Sequence, residues 1–273
     1  MTHSIQLSDG SHLYYKDWGS GPTIIFSHGW PLSSDAFEDQ ILFLANHGFR
    51  TIAFDRRGHG RSCQPWEGHH INQYAQDLHE AIEQLKLDEF SLVGHSTGGA
   101  VVTRYTTRFG QAKVKKLVLL ASVTPLMIKR EDHPEGVERK VFDEMRENVL
   151  KNRNDFYLDF AKKFYGYDKL LNKSSEGVIQ NFWRIGMQGS IKAQHDCIAA
   201  FSETDLRSDL SQIQIPTLVL YGDADVIVPP EVCSQGALKL LPNGIEKAIS
   251  GAPHGLCTTH KDEVNPVLLE FFQ

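Results

Sequence analysis

Phe90-Ser91-Leu92-Val93-Gly94-His95-Ser96-Thr97-Gly98-Gly99-Ala100-Val101-Val102-Thr103-Arg104-Tyr105 is the stretch on which the fold turns. Its first residues form an apolar run of strand character, its last residues read as a helix, and Gly94-His95-Ser96-Thr97-Gly98 lies between them. Strand, G-x-S-x-G, helix is the context in which a serine sits on a sharp turn with its hydroxyl clear of the backbone. The glycines are a steric requirement, because the serine is strained and bulkier neighbours collide with the adjoining strand and helix. Taken alone, the motif also fits a glycine-rich loop in which Ser96 caps the helix. A base, an acid and an oxyanion site in the right places would decide between the two.

Upstream, Ile5 and Leu7 alternate with polar residues, Asp9-Gly10 marks a hairpin turn, and Leu13-Tyr14-Tyr15 resumes the strand pattern. Thr23-Ile24-Ile25-Phe26 and Thr51-Ile52-Ala53-Phe54 read as buried strands. Between them Phe37, Ile41, Leu42 and Leu44 fit a helix for which Asp35 and Glu38 would form a capping box. From Asn72, Tyr74, Leu78, Ile82 and Leu85 recur at helical spacing. This βαβ rhythm predicts a parallel sheet with helices on both faces.

Downstream, Val114 to Leu120 is a further strand, and then the rhythm changes. From about Pro125 to Leu210 no strand-like run occurs. Val137, Val141, Met145 and Val149 fit one helix and Phe156, Phe160 and Phe164 a second; Val178, Phe182 and Ile185 fit a third, and Ile191, His195 and Ile198 a fourth. Such an all-helical insertion reads as a lid over one end of the sheet, with an apolar underside toward a pocket. Pro216 to Gly222 is again a strand, Glu231 to Leu241 a helix, and Ile245 to Ile249 a last strand before a final helix to Phe272.

The 273 residues carry a net charge of -6 and a pI near 6.1, which argues against nucleic acid as the main partner. An apolar content of 41% with 23% charged residues is that of an ordinary globular chain. No apolar run is long enough to span a bilayer and no leader pattern is visible, so no membrane partner and a cytoplasmic location are expected. Cys63, Cys197, Cys233 and Cys257 show no C-x-x-C spacing and are expected to be free thiols. The histidines form no H-E-x-x-H, so neither a metal nor another cofactor is expected. A homo-oligomer is compatible with the sequence.

A serine hydroxyl needs a base to take its proton, and a histidine needs a carboxylate to hold its tautomer. Ser96, Asp225 and His254 each follow a strand, in the order serine, acid, histidine, which places all three at one edge of the sheet. Asp223 is the rival acid. It directly follows Gly222 and is expected to cap the turn, with Asp225 farther into the loop as the acid. His28, His59, His69, His70, His95 and His260 are rival bases, but only His254 lies in a Pro-His-Gly turn after the last strand. His28 is expected to organise its loop by hydrogen bonding. The backbone N–H groups of Thr97 and Trp30 would form the oxyanion hole, with Pro31 restricting Trp30.

These residues resemble those of the α/β-hydrolase superfamily, and within it the cofactor-free bacterial haloperoxidase, or perhydrolase–aryl esterase, group. The resemblance covers nearly the whole chain. It is carried by Phe26-Ser27-His28-Gly29-Trp30-Pro31-Leu32, Phe54-Asp55-Arg56-Arg57-Gly58-His59-Gly60-Arg61-Ser62, Gly94-His95-Ser96-Thr97-Gly98-Gly99, Ala200-Phe201-Ser202-Glu203-Thr204-Asp205, Gly222-Asp223-Ala224-Asp225 and Ala252-Pro253-His254-Gly255. One departure is Ala100-Val101, where the family often continues with a glycine and an acidic residue.

The resemblance implies an eight-stranded, mostly parallel sheet. The core would be residues 1–124 and 211–273, with a helical cap at 125–210. It also implies that Ser96 takes the acyl group of an ester or short carboxylic acid, and that water or hydrogen peroxide completes the reaction. With peroxide the product is a peracid that oxidises halide in solution, and Trp30-Pro31 is the version seen in haloperoxidases. Phe160, Phe164 and Ile227 are expected to line the substrate pocket. A carboxylesterase or lactonase without a peroxide role, and a ligand sensor without turnover, are the alternatives. Dehalogenases and epoxide hydrolases need an aspartate where this chain has Ser96.

Overall fold

The computed structural model describes residues 3–167 and 175–273. Among them, eight strands form one sheet: β1 (Ser4–Gln6), β2 (His12–Gly19), β3 (Thr23–Ser27), β4 (Arg50–Phe54), β5 (Phe90–His95), β6 (Val114–Leu120), β7 (Thr217–Gly222) and β8 (Gly244–Ile249). Their order is β1-β2-β4-β3-β5-β6-β7-β8. The two pairings of β2, with β1 and β4, are antiparallel and the rest are parallel. The helices are α1 (Glu38–Asn46), α2 (Ile71–Gln84), α3 (Thr97–Phe109), α4 (Arg139–Phe164), α5 (Glu176–Gln188), α6 (Ile191–Glu203), α7 (Arg207–Gln212), α8 (Ser234–Leu238), α9 (Leu256–Thr259) and α10 (Lys261–Phe272). This is the parallel sheet that the βα rhythm predicts, with the eight strands that the resemblance to α/β-hydrolases implies.

The central strands are continuous apolar runs because both of their faces are covered. Side chains alternate across the sheet, so Ile25, Leu92, Leu117, Leu119 and Val219 pack on one side, with residues of α2 and α3. Ile24, Phe26, Val93, Val118 and Leu220 pack on the other, with residues of α1 and α10. Ala100 and Val101, where the chain departs from the family, are both buried in the first of these layers.

The helices α4 to α7 lie between β6 and β7 in the chain, and α4 packs against both α5 and α6. The two helices expected over Val137–Val149 and Phe156–Phe164 are the two halves of α4, which meet at a kink where Asn152 leaves helical geometry. The side-chain oxygen of Asn152 accepts the Asp155 N–H at 3.3 Å, which caps the second half and explains the break. Val137 precedes α4 and instead forms a bridge with Ile128.

Two further expectations are corrected. Asp35 and Glu38 form no capping box: Ser33 caps a single 3-10 turn, Ser34–Phe37, ahead of α1. The Asp35 carboxylate is taken by Lys16 at 2.6 Å and Arg61 at 2.5 Å, and Glu38 also pairs with Lys16. The helix expected over Glu231–Leu241 is only α8. No helix among the described residues is long and apolar enough to cross a membrane.

Candidate active site

The parallel ladder aligns Ser27 with Gly94, His95 with Leu120, Leu120 with Leu220 and Gly222 with Ile249. The loops leaving β3, β5, β7 and β8 therefore open on one edge of the sheet, the carboxyl edge where ligands bind in such folds. Ser96 occupies the turn between β5 and α3 with φ 55° and ψ -120°. Its N–H donates to Leu120 O at 3.0 Å, and its carbonyl accepts from Gly99 N at 2.9 Å and Val123 N at 3.3 Å. Those bonds hold a conformation that costs an L-residue energy. A Cβ at Gly98 would lie 1.9 Å from Ser27 O, and one at Gly94 would lie 2.4 Å from Gly98 O. Both glycines are thus sterically required. The Ser96 hydroxyl makes no capping bond to α3, which removes the helix-cap alternative for this serine.

Asp225 and His254 meet in the loops after β7 and β8, with Nδ1 of His254 2.6 Å from Oδ2 of Asp225. Both side chains are about 1% exposed, so the pair is shielded from water. The other oxygen, Oδ1, accepts the N–H groups of Ile227 at 2.8 Å and Val228 at 2.9 Å, which fixes the carboxylate plane. Asp223 is exposed and accepts from Gly251 N at 2.6 Å, tying the two loops together at their base. The two rival acids therefore have different tasks in the structure: one faces the histidine, the other a backbone turn.

Two further histidines surround this pair. Nε2 of His95 lies 3.1 Å from His254 O and donates to it. Burial, and secondly the neighbouring His254, push the His95 pKa down to about 3, so its ring stays neutral. The Phe164 ring stands edge-on to His254 at 4.8 Å, and Phe164 O accepts Gly255 N–H at 2.7 Å. The end of α4 is thereby fastened to the histidine loop. His28 donates from Nδ1 to Gly29 O at 2.8 Å and accepts Arg56 N–H on Nε2 at 3.0 Å. Burial first, then the charge of Arg56, hold His28 well below the usual histidine range. It organises the β3 loop as expected from the sequence.

Trp30 sits in that loop, before a cis peptide to Pro31. Thr97 is the first residue of α3, where backbone N–H groups lack helical partners. Neither the Trp30 nor the Thr97 N–H takes part in the turn and loop hydrogen bonds of the described residues. The Trp30 indole donates to Gln194 O at 2.9 Å, and its ring packs among Phe156, Tyr157, Phe160 and Phe201. Gln194 carries this network into the cap. Its side chain donates to Gly186 O at 2.5 Å and accepts from Tyr157 at 2.7 Å and Arg153 at 3.1 Å. Sequence reasoning missed Gln194, and its only sequence signal is a polar residue at a buried helix position.

Ser96, Thr97, Trp30 and His254 all border one cavity of about 270 Å³ between the sheet edge and helices α4 and α6. Phe160, Phe164 and Ile227 border it as well, so every sequence-selected residue except Asp225 reaches the cavity wall. Asp225 lies behind His254. Most of the remaining wall is apolar and was not singled out in the sequence: Val123, Met127, Phe142, Met145, Phe156 and Phe201. Charged and amide groups on this wall, Glu144, Asn148 and Lys163, are exposed residues of α4.

Comparison with known proteins follows the same line. The family described as alpha/beta hydrolase fold matches residues 22–261. A non-heme haloperoxidase of Rhodococcus erythropolis is 48% identical over 270 residues, covering 98% of each chain. A bifunctional esterase/perhydrolase of Acinetobacter calcoaceticus is 44% identical, over 98% of this chain and 99% of its own. Among solved structures, a bromoperoxidase from Bacillus anthracis superposes with a TM-score of 0.95 at 38% identity, covering 100% of this chain and 99% of that one.

Proposed function

The chain belongs to the alpha/beta hydrolase fold family, and on that footing we propose that it is a serine esterase and perhydrolase. Its substrates would be carboxylic esters and, with hydrogen peroxide, short carboxylic acids. The observation that carries this reading is the 2.6 Å contact of His254 Nδ1 with Asp225, with His254 and Ser96 on the wall of the same apolar cavity.

In the proposed cycle the Ser96 hydroxyl attacks the acyl carbon and its proton passes to Nε2 of His254. Asp225, already bonded to Nδ1, stabilises the imidazolium that forms. The oxyanion is held by the N–H groups of Trp30 and Thr97, which are prepaid in position and need no reorganisation. The bond to the leaving oxygen breaks as His254 returns the proton, releasing the alcohol of an ester or water from a carboxylic acid and leaving an acyl group on Ser96. Water then attacks the acyl carbon, giving the acid and free Ser96. Hydrogen peroxide in its place gives a peracid. That product reacts outside the enzyme with bromide: the peracid is reduced to carboxylate and bromide is oxidised to hypobromous acid. The apolar wall suits short acyl groups and aryl or alkyl alcohols over polar ones. The esterase/perhydrolase relative supports giving both outcomes to one site.

One purified sample assayed side by side tests this. Wild type should hydrolyse p-nitrophenyl acetate and should brominate an acceptor only when a carboxylate such as acetate is added with peroxide. Ser96→Ala should lose both activities. Turnover of the ester by that variant would remove Ser96 as nucleophile, and bromination at the same rate without carboxylate would remove the peracid route.

A further inference from the structure

Trp30 belongs to two parts of the molecule at once. Its backbone lies in the loop after β3, and the four rings it packs on lie in other elements: Phe156, Tyr157 and Phe160 in α4, Phe201 in α6. We propose that Gln194 of α6 is a positioning residue for the reaction: it places the Trp30 N–H for the negative charge that develops during acyl transfer. This inference rests on the reading of Trp30 as an oxyanion donor.

The loop does not place that N–H by itself. Its turn is fastened at Gly29, whose carbonyl accepts Leu32 N–H at 3.1 Å and His28 Nδ1–H at 2.8 Å. Among the described residues no hydrogen bond reaches the Trp30 backbone. The indole supplies the hold instead, donating to Gln194 O at 2.9 Å from a buried position. Only two torsions separate an indole ring from its own backbone, so a ring fixed by packing and a hydrogen bond leaves that backbone little freedom.

Gln194 can set that bond because its own side chain is tied to two other helices. Its Nε2 donates to Gly186 O of α5 at 2.5 Å, and its Oε1 accepts from Tyr157 at 2.7 Å and Arg153 at 3.1 Å, both in α4. The amide is fully buried and both of its ends are used, which locks its orientation. α5 reaches the same loop directly, since a Cβ at Gly186 would lie 2.9 Å from Tyr157 and 3.3 Å from Pro31. Gln194 does not border the active-site cavity, so it touches no substrate and acts on the reaction only through Trp30 and the rings around it. Removing an oxyanion donor outright costs about 10²-fold or more in kcat, and loosening one should cost about tenfold.

The test compares the full chain with Gln194→Leu, Gln194→Glu and Trp30→Phe. It reads kcat and KM on p-nitrophenyl acetate and the inhibition constants of phenylboronic acid and acetanilide. The boronic acid mimics the charged state: Ser96 Oγ bonds to boron, the serine proton passes to His254, and a boron hydroxyl takes the place of the oxyanion. Acetanilide fills the cavity as an uncharged ground-state counterpart. In Gln194→Leu, kcat and boronate affinity should each fall about tenfold, with KM and acetanilide inhibition within about twofold of wild type. Gln194→Glu keeps both acceptor bonds and should recover most of the loss. Trp30→Phe keeps a ring, removes the indole donor and should lose boronate affinity by the same factor. Unchanged kcat and boronate affinity in Gln194→Leu would overturn the proposal, as would an equal weakening of acetanilide. Where Gln194→Leu does not fold, Trp30→Phe decides on the same two inhibitors. A wild type that turns over no ester and binds no boronate fails the serine reading itself, and this inference with it.

Discussion

Acidification should destabilise this protein well before its carboxylates protonate. Three histidines, His28, His59 and His95, are buried and held in the neutral form, in each case chiefly by burial. Their folded pKa values lie well below the unfolded value of about 6.5. The unfolded chain thus binds more protons than the folded one throughout the interval, and stability must fall as pH drops below about 6.5. The loss continues down to the folded values, about 3 for His95. A histidine that is charged in the unfolded chain and neutral in the folded one contributes a limiting slope of about 1.4 kcal/mol per pH unit. For His95, with a folded value near 3, the loss between pH 6.5 and 5 is about 2 kcal/mol, and His28 and His59 act in the same direction. Carboxylates with lowered pKa values, such as Asp35 and Glu203, act in a separate window below about pH 4.5. Urea unfolding at pH 7, 6, 5.5 and 5 reads the slope directly as protons taken up on unfolding. The count should rise from below one at pH 7 toward three near pH 5. His59→Gln should reduce the count by one whatever it does to the absolute stability. A slope of less than one proton between pH 5.5 and 5 would mean that these rings are not buried and neutral as described.

Asp225→Asn should lower the catalytic rate about 10⁴-fold by favouring the wrong imidazole tautomer, whereas Asp223→Asn should change it little. An asparagine at 223 can still accept the Gly251 N–H, so ester hydrolysis by both variants separates the two acids. Gly98→Ala should cost about 3 kcal/mol or more in urea unfolding, because the new methyl group would meet Ser27 O at 1.9 Å, a backbone atom that cannot turn away. Gln194→Leu should cost about 2 kcal/mol by leaving the buried Tyr157 hydroxyl unpartnered, with Gln194→Glu or Tyr157→Phe milder on the same measurement.

Much of the fold is legible locally. Strand positions follow from apolar runs, and the α2 face follows from the spacing of Tyr74, Leu78 and Ile82, all buried. The two halves of α4 on either side of Asn152 follow from two apolar sets, Val141 to Val149 and Phe156 to Phe164. The capping box failed for a non-local reason: Lys16 and Arg61, distant in sequence, hold Asp35 by ion pairs. Pocket lining was only partly legible, since Phe160 and Phe164 lie on a helix whose rotation is fixed by packing on α5 and α6.

By itself the sequence determined the strand–turn–helix around Ser96, because steric demands at Gly94 and Gly98 act within a few residues. It also determined the chain order of serine, acids and histidine. Loop position in the sequence favours Asp225 as the acid, and tertiary structure supplies its contact with the ring. Asp223 and Asp225 stand two residues apart in one loop, and only the β7–β8 pairing and the Ile227 and Val228 N–H groups turn Asp225 onto His254. The different partners of Arg56 and Arg57 are of the same kind. Neighbouring arginines look alike in sequence, and the partner each one finds depends on where α2 brings Asp77 against the sheet.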